Sequence, residues 1–375
     1  MGKGNRVTPP PLRILINAIH AHSGGGVTYL RNLLPALAAD PELDVLVCYH
    51  RDQEAKLPVP EQGIQRIAVD FRDGFVGRLV WEQLSLPGLA RRLGADVVYS
   101  PANFGPLLVP NGVIMLRNAL AVGQNEDRIA KRVYWWVLAL MTRWSLRRCR
   151  RAIAVSAYAA DALSHGLPQR VQDKIAVVHH GVGPEFTPDP TVAREDFLLC
   201  VGDLYIQKNF GLVLAALAQL APAHPGLRLK VAGRPVDQEH ANGLYAEAAR
   251  LGLEGRVDWL GHVAPADLAG LYRRCRLFVF PSLVETFGHP LAEAMACGAP
   301  VLSSDAAAMP EVAGGAALYF GPRDQATLTA TLTRALADPT LRADLSARAL
   351  VRAGELSWAQ TAAKTIAILK AAAHR

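Results

Sequence analysis

The chain has 375 residues, of which 51% are hydrophobic and 19% charged, and it carries a formal net charge of +7 at pH 7. This composition excludes a disordered or fibrous protein, and the length exceeds what one hydrophobic core usually holds, so two domains are expected. The basic balance favours anionic partners such as phosphates or an acidic lipid surface.

The cysteines and the lengths of the apolar runs bear on the compartment. Five cysteines occur without a CxxC pair or a histidine at ligand spacing, which points away from a disulfide framework or a zinc site and towards a reducing cytoplasm. The opening residues, MGKGNRVTPPP, lack the apolar core of a signal peptide and are interpreted as a disordered lead-in. No apolar run approaches the roughly 18 residues that cross a bilayer, so no integral membrane segment is expected.

The first half of the chain alternates short β-branched runs with amphipathic segments, beginning with LRILINA at residue 12. This alternation is typical of βαβ units and predicts a mostly parallel sheet covered by helices. The N-terminal domain is therefore placed at residues 12–185. Further strands are predicted at 64–69, 96–99, 113–116, 152–155 and 175–178.

A second unit follows residues 183–196, which are rich in proline and charge and are interpreted as the linker. Runs such as FLLCVGD, LRLKVAG and RLFVFPS repeat the βα pattern and predict a second domain over residues 196–357. Two such domains would face each other across a cleft at the carboxyl ends of their strands. A last helix is predicted within residues 358–375, and packing back on the N-terminal domain is one of its two options.

The most specific motif is ETFGHPLAE, which runs from Glu285 to Glu293 and joins a strand-like run to a helix. Pro290 suits the first helical turn, so the amides before it are expected to be unpaired and to bind phosphate. The two carboxylates can each accept hydroxyl groups of a sugar. A simpler interpretation is that Glu285 caps the helix and Glu293 lies on its solvated face. The amides in question belong to Phe287, Gly288 and His289.

The stretch from RLFVFPS through ETFGHPLAEAMACG to GPRD resembles the nucleotide-binding half of the retaining glycosyltransferases of family 4, whose E-x7-E motif matches Glu285 and Glu293. The resemblance implies an α/β protein of the GT-B fold, with two Rossmann-like, doubly wound domains facing across a cleft. It implies that Glu285 lies beside the donor sugar as a catalytic residue and that Glu293 binds the nucleotide ribose. Phe287 and Gly288 would lie at the donor phosphates.

The segment VGDLYIQKNFGLVLAAL resembles the part of these enzymes that places a lysine on the donor diphosphate, which implies that role for Lys208, with Gly202 nearby. An ammonium group there would offset the charge that grows on the leaving nucleotide. The family often has arginine after this glycine, where the chain has Asp203. Arg234, in the loop VAGRP, is a candidate replacement, and an ordinary exposed arginine is the alternative.

A glycine loop follows the first predicted strand and precedes a helix. Its residues Gly24, Gly25 and Gly26, within GGGVTYLRNLLPAL, resemble the family's loop near the donor phosphate and the acceptor. Glycines allow close backbone approach and positive φ, which suits a loop that surrounds a ligand. We therefore place these three residues among the donor-binding candidates.

The chain departs from the family where many relatives have a His-Asp pair, because it has Arg117 and Asn118 there. Neither side chain is a ready proton acceptor at neutral pH, so both are assigned to binding of the acceptor or donor sugar. His20 and His22, before the glycine loop, are candidates to replace the missing histidine at the acceptor, although a lone histidine is more often structural.

Residues 128–151 have basic residues at both ends and three tryptophans around an apolar middle. This pattern indicates either an interfacial helix on an anionic membrane or a core helix with solvated basic ends. Nucleic acid is not expected as a partner, because aromatic and basic residues do not interleave elsewhere and no nucleic-acid module is present.

The resemblance thus implies a retaining transferase that moves a hexose of the mannose or rhamnose class from a nucleoside diphosphate sugar to a glycan or lipid-linked acceptor, and no metal is expected. GDP-mannose is a candidate donor, and no cofactor is expected. Work at the inner face of the cytoplasmic membrane would suit a lipid-linked acceptor. Two alternatives stay open, a nucleotide-sugar epimerase of the same two-domain plan and a non-catalytic nucleotide-sugar-binding subunit.

Overall fold

A computed structural model describes residues 10–373, except positions 23, 58, 61, 73, 110 and 119–128. Residues 1–9 of the predicted lead-in, the first residue of the segment 128–151 and the last two residues of the chain lie outside the described residues. The described chain forms two α/β domains, each built on one parallel sheet.

The N-terminal sheet has seven strands in the order β3-β2-β1-β4-β5-β6-β7, and every pairing is parallel. The order reverses between β1 and β4, which is the position where doubly wound sheets bind ligands. The strands are β1 (Leu12–Asn17), β2 (Leu43–His50), β3 (Ile64–Val69), β4 (Val97–Ser100), β5 (Gly112–Leu116), β6 (Arg151–Ala154) and β7 (Ile175–Val177).

Five described helices accompany this sheet. Ser156 caps α4 by accepting a hydrogen bond from the amide of Ala159 at 2.9 Å, as expected of a serine before a helix. The predicted segment 128–151 is not helical throughout, because α3 ends at Arg148 and Arg151 begins β6. The helices are α1 (Gly25–Ala38), α2 (Phe75–Arg92), α3 (Ile129–Arg148), α4 (Ala157–Ser164) and α5 (Gln169–Gln172).

The C-terminal sheet has six parallel strands in the order β10-β9-β8-β11-β12-β13, and its order reverses between β8 and β11. Its strands are β8 (Phe197–Val201), β9 (Arg228–Ala232), β10 (Val257–Gly261), β11 (Leu277–Phe280), β12 (Val301–Ser304) and β13 (Ala317–Phe320). Its helices are α6 (Phe210–Leu220), α7 (Gln238–Arg250), α8 (Pro265–Arg274), α9 (His289–Ala296), α10 (Met309–Ala313), α11 (Gln325–Ala337) and α12 (Pro339–Gly354).

The strands are short and strongly apolar because helices cover both faces of a parallel sheet. β4, β5, β8, β11 and β12 are buried along their whole length. The five cysteines are buried free thiols. Among the described helices, none combines the length and apolarity needed to cross a bilayer.

The last helix, α13 (Trp358–Ala373), returns to the N-terminal domain. Thr365 lies 3.3 Å from the hydroxyl of Tyr29 in α1, and the Lys370 ammonium donates to Asp40 at 2.8 Å and to Glu42 at 2.6 Å. The chain therefore crosses between the domains twice, once in the linker and once before α13. These two crossings link the domains on either side of the cleft.

Gly181→Ala tests how closely the two crossings pack. A Cβ at this position would collide with the backbone nitrogen of Trp358, which no side-chain rotation can relieve. We expect a loss of stability of about 1–3 kcal/mol, typical of overpacking, measured as the free energy of unfolding in urea. Gly88→Ala is the matched control, because its Cβ would meet open space in an exposed part of α2. That change should stabilise the protein by about 0.5–1 kcal/mol, and equal losses in both variants would contradict the close packing.

Candidate functional site

An ion pair occupies the carboxyl edge of the C-terminal sheet, beside the point where its strand order reverses. The Nζ of Lys208 lies 2.6 Å from Oε1 of Glu285, and 5.5 Å from the centre of the Phe280 ring. The two side chains are only 13% and 15% exposed. Sequence reasoning named both residues, and the structure brings them together although 77 positions separate them.

Two glycines allow this lysine to lie across the strand ends. Gly202 has a φ of +150°, and a Cβ there would lie 2.8 Å from Cε of Lys208. At the end of β9, a Cβ on Gly233 would collide with the carbonyl oxygen of Gly202. The aliphatic part of Lys208 therefore packs on bare backbone, and a side chain at position 202 would push the ammonium out of place.

The N-terminus of α9 opens beside this ion pair. Gly288 precedes the helix with a φ of +85°, and Pro290 occupies its first turn, as predicted. Within the described part of the chain, the amides of Gly288 and His289 have no hydrogen-bond acceptor, and the first turn carries no acidic side chain. Unpaired amides at the positive end of a helix form a site for an anion.

The N-terminus of α1 faces α9 from the other domain. Gly24 precedes α1 with a φ of +59°, and no side chain caps this helix. A Cβ on Gly25 would lie 3.7 Å from the His289 ring, and one on Gly26 would lie 2.5 Å from the Arg117 guanidinium. Each of the three glycines thus leaves the backbone of α1 bare towards the cleft.

Arg117 adds a third source of positive charge, next to α1. Burial lowers the pKa of its guanidinium, and its Nε finds no acceptor among the described residues. The loop that carries it is held by Asn103, whose Oδ1 accepts the amides of Arg117 and Asn118 at 2.8 and 2.9 Å. Thr286 donates to the Arg117 carbonyl oxygen at 2.5 Å, which joins the two domains beside Glu285. The Asn118 side chain is exposed.

A histidine pair, not named as a site from the sequence, crosses the interface behind these groups. Nδ1 of His180 lies 3.0 Å from Nε2 of His289, and the two rings stack at 5.0 Å with Trp358 of α13 beside them. Burial, together with the charges of Arg117 and Lys208, lowers the pKa of His289 to about 4. Burial and His289 lower the pKa of His180 well below its usual value. Both rings are therefore neutral at pH 7.

Glu293 faces inward. The hydroxyl of Tyr272 donates to it at 3.1 Å, and burial raises the pKa of its carboxyl to about 7. Glu285 does not cap α9 and instead binds Lys208. The simpler interpretation, a cap and a solvated face residue, is therefore wrong for both residues.

The remaining sequence candidates lie around this centre. Arg234 pairs with Asp203 at 3.0 Å on the surface. Asp203 stands where the family often has arginine, and it therefore binds the residue that was the candidate to replace that arginine. His20 lies 3.3 Å from Glu82, at the carboxyl edge of the N-terminal sheet. Phe287 is buried against the His180 ring at 5.4 Å, where it supports the interface. In the described part of the chain, no three His, Cys, Asp or Glu side chains group as metal ligands.

In a comparison with known proteins, each half of the chain matches a family model. The family model "Glycosyltransferase Family 4" matches residues 23–186, and the model "Glycosyl transferases group 1" matches residues 186–352. The chain belongs to the family 4 glycosyltransferases. The family resemblance inferred from the E-x7-E region is thereby confirmed.

This glycosyltransferase is similar to known relatives in sequence and to solved structures in fold. It is 34% identical over 175 residues to "O-antigen chain mannosyltransferase B" of Escherichia coli, covering 47% of this chain and 46% of that one. The chain thus spans about half the length of that relative. Its fold matches a sucrose-phosphate synthase from Thermosynechococcus elongatus with a TM-score of 0.78 and 19% identity, over 96% and 98% of the chains. The structure of Anabaena HepE in complex with UDP-glucose matches with a TM-score of 0.75 and 18% identity, over 96% of this chain and 100% of that one. The predicted GT-B fold is confirmed.

The neutral histidine pair makes the stability of this glycosyltransferase depend on pH. An unfolded histidine titrates near 6.5, so as the pH falls from about 6.5 to about 4 the unfolded chain takes up protons before His289 does, and stability is lost. Between pH 7 and pH 4.5 the free energy of unfolding, measured in urea, should fall in both proteins. We expect the fall in His289→Leu to be smaller than that in the wild type by up to about 3 kcal/mol.

Glu293 has the opposite effect on stability. Because its pKa is raised, the folded state binds a proton before the unfolded state does as the pH falls from about 7, and this stabilises the folded state. That contribution is common to the wild type and His289→Leu, so it cancels in their difference. His165→Leu, at an exposed histidine, serves as the control and should follow the wild type. Parallel pH curves for all three proteins would contradict a neutral, buried pair.

Proposed function

We propose that this glycosyltransferase moves a hexose from a nucleoside diphosphate sugar to an acceptor hydroxyl with retention of the anomeric configuration and without a metal ion. The observation that carries the proposal is the Lys208–Glu285 ion pair, 2.6 Å long, beside two helix N-termini that face each other and lack acidic residues. Such a concentration of positive charge suits a diphosphate.

The chemistry follows from the charge that moves. The bond between the anomeric carbon and the diphosphate oxygen breaks, and the Lys208 ammonium with the amides of α1 and α9 stabilises the leaving group. The acceptor oxygen attacks from the face that the nucleotide leaves, and its proton passes to the departing phosphate. Glu285 would accept hydroxyl groups of the donor sugar and hold Lys208 in place. Glu293, beside Tyr272, would bind the ribose.

For the donor we propose the mannose class, with GDP-mannose as the first compound to test. The support is the name of the E. coli relative, a mannosyltransferase of the O-antigen chain. The same relative supports an acceptor that is a growing glycan, free or attached to a lipid. The HepE complex contains UDP-glucose, so uridine donors belong in the same screen.

We also propose that the N-terminal domain rests on an anionic membrane. Along α2, the exposed Val76, Val80 and Leu84 are spaced by four residues and form one ridge. α3 adds exposed aromatic and basic side chains and carries no Asp or Glu, while the one acid of α2, Glu82, is fully buried. The exposed members on α3 are Arg132, Val133, Tyr134, Trp136, Trp144, Arg147 and Arg148.

The ring contact between Phe75 and Tyr134, at 5.0 Å, joins the two helices into one face. Apolar and aromatic side chains surrounded by arginine match the interface of a bilayer that contains acidic lipids. A lipid-linked acceptor at the cytoplasmic face of a membrane would then reach the cleft of the same domain.

Lys208→Ala and Glu285→Ala test the transferase function. A thermal-shift screen of nucleoside diphosphate sugars should first give one donor that raises the unfolding temperature. Transfer from that donor should then fall by about 10²–10³-fold or more in each variant, because the stabilisation of the leaving diphosphate is lost. The control is Lys364→Ala, at an exposed lysine of α13, which should keep normal rates. No donor in the screen, or near-normal transfer by both site variants, would contradict the proposal.

The membrane proposal is tested by co-sedimentation with vesicles of phosphatidylglycerol and phosphatidylcholine. Val80→Gln and Leu84→Gln should each weaken binding by about tenfold, since each removes one apolar side chain from the lipid. Val351→Gln is the matched control, because Val351 on α12 has the same 73% exposure as Leu84 but lies in the other domain. Failure of the wild type to sediment at low salt would overturn the proposal.

A further inference from the structure

A carboxylate is buried at the carboxyl edge of the N-terminal sheet. Glu82, in the middle of α2, has no exposed surface. Its partners in the described chain are Nδ2 of Asn17 at 2.5 Å on one oxygen and Nε2 of His20 at 3.3 Å on the other. Burying a carboxylate is costly unless its lone pairs are used, so a fully buried carboxylate with only two side-chain partners requires a reason.

Asn17 supplies a second, independent observation. Its side chain is 1% exposed, and its Nδ2 donates to Glu82 and, at 3.1 Å, to the hydroxyl of Ser100. Its Oδ1 is buried and has no donor among the described residues. Exchanging the two amide atoms would point oxygen at a carboxylate, so the orientation is determined by Glu82. An acceptor atom therefore remains unsatisfied next to the carboxylate.

The position of this cluster matches that of the donor site in the other domain. Asn17 ends β1 and Ser100 ends β4, so the cluster lies where the strand order of the first sheet reverses. Lys208 and Glu285 lie at the corresponding reversal of the second sheet. Doubly wound sheets bind their ligands at such points. The donor site uses one of the two reversals, and the Glu82 cluster occupies the other.

The loop that carries His20 is held in a defined shape. The buried amide of Gln53 donates to the carbonyl oxygens of Ala18 and Ala21 at 3.0 and 2.9 Å, one on each side of His20. The rings of Phe104 and His20 lie edge to face, with their centres 4.9 Å apart. The His20 side chain is 16% exposed, so the imidazole is partly accessible to solvent while its carboxylate partner is buried.

This arrangement determines the tautomer of His20. A carboxylate only accepts, so Nε2 carries the hydrogen that bonds to Glu82 and Nδ1 keeps its lone pair. In its neutral form, an imidazole oriented in this way offers Nδ1 as an acceptor for one hydroxyl group. Asn17 and Ser100 are buried polar groups beneath it.

We propose that Asn17, Glu82 and His20 form a sugar subsite of the N-terminal domain, in which Nδ1 of His20 accepts a hydrogen bond from a hydroxyl of the acceptor glycan. Glu82 is a positioning residue, which fixes the tautomer and orientation of His20. The inference deepens the proposed transferase function, on which it rests, by assigning the acceptor to the strand-order reversal of the first sheet. The ligand class is a neutral hexoside.

The test uses the full-length chain with ¹³C-labelled histidine and methyl glycosides of mannose, rhamnose, glucose and galactose as probes. His20→Asn identifies the resonance of His20. At least one glycoside should shift that resonance in the wild type, and its dissociation constant should rise about tenfold in His20→Asn and in Glu82→Leu, which removes both hydrogen bonds of the carboxylate. His165→Asn, at an exposed histidine of the same domain, should bind like the wild type.

A rescue variant separates positioning from a general loss of structure. Glutamine at position 82 keeps an acceptor for Nε2 of His20, and without a carboxylate beside it Asn17 turns its amide so that Oδ1 accepts from the glutamine amide. Glu82→Gln should therefore hold glycoside affinity within about threefold of the wild type. A loss in Glu82→Gln as large as that in Glu82→Leu would overturn the role of Glu82 as the hydrogen-bond partner of His20.

Two outcomes distinguish this inference from the proposed function. If nucleoside diphosphate sugars raise the unfolding temperature but no glycoside shifts the His20 resonance, the acceptor subsite is wrong and the transferase proposal stands. If glycosides bind at His20 and no nucleotide sugar binds anywhere, the transferase proposal fails while the sugar subsite remains. Unchanged glycoside affinity in both His20→Asn and Glu82→Leu overturns the subsite directly.

Discussion

Two helix N-termini from different domains face each other across the cleft, and the rest of the site depends on this arrangement. Neither α1 nor α9 has an acidic residue in its first turn or a side-chain cap, so the partial positive charges of both remain uncompensated. Lys208 and Arg117 add full charges to the same region. Glu285 offsets only one of them. An anion between the helices would remove this imbalance, which is why we propose a diphosphate there.

Glycines let the backbone approach the cations of the site closely. Gly26 presents bare backbone to Arg117, and Gly202 presents it to Lys208. A Cβ at either position would displace a cation, while one at position 25 would come into contact with His289. Contacts between the domains include the stacked rings of His180, His289 and Trp358 and the carboxylate of Glu311, which accepts the amides of Ala157 and Tyr158. Because burial keeps both histidines uncharged, the interface adds no further positive charge to the site.

The two sheets carry a carboxylate at corresponding positions. Each reverses its strand order once, and each places a buried or nearly buried carboxylate at that point. Glu285 of the second sheet pairs with an ammonium group, which suits a charged donor. Glu82 of the first sheet contacts an amide and an imidazole, which is why we propose a different ligand, an uncharged sugar, at that point.

Local features of the sequence determined the elements and the donor motif. The strand predicted at 96–99 is observed at Val97–Ser100, Ser156 caps its helix, and Pro290 begins α9, because periodicity, capping and proline geometry act over a few residues. Only the tertiary structure decided which side chains meet. His180 and His289 are 109 positions apart, and Glu82 lies within an amphipathic helix where its charge predicts solvent exposure. Such pairs arise from the order in which strands assemble, and no short-range rule in the sequence contains that information.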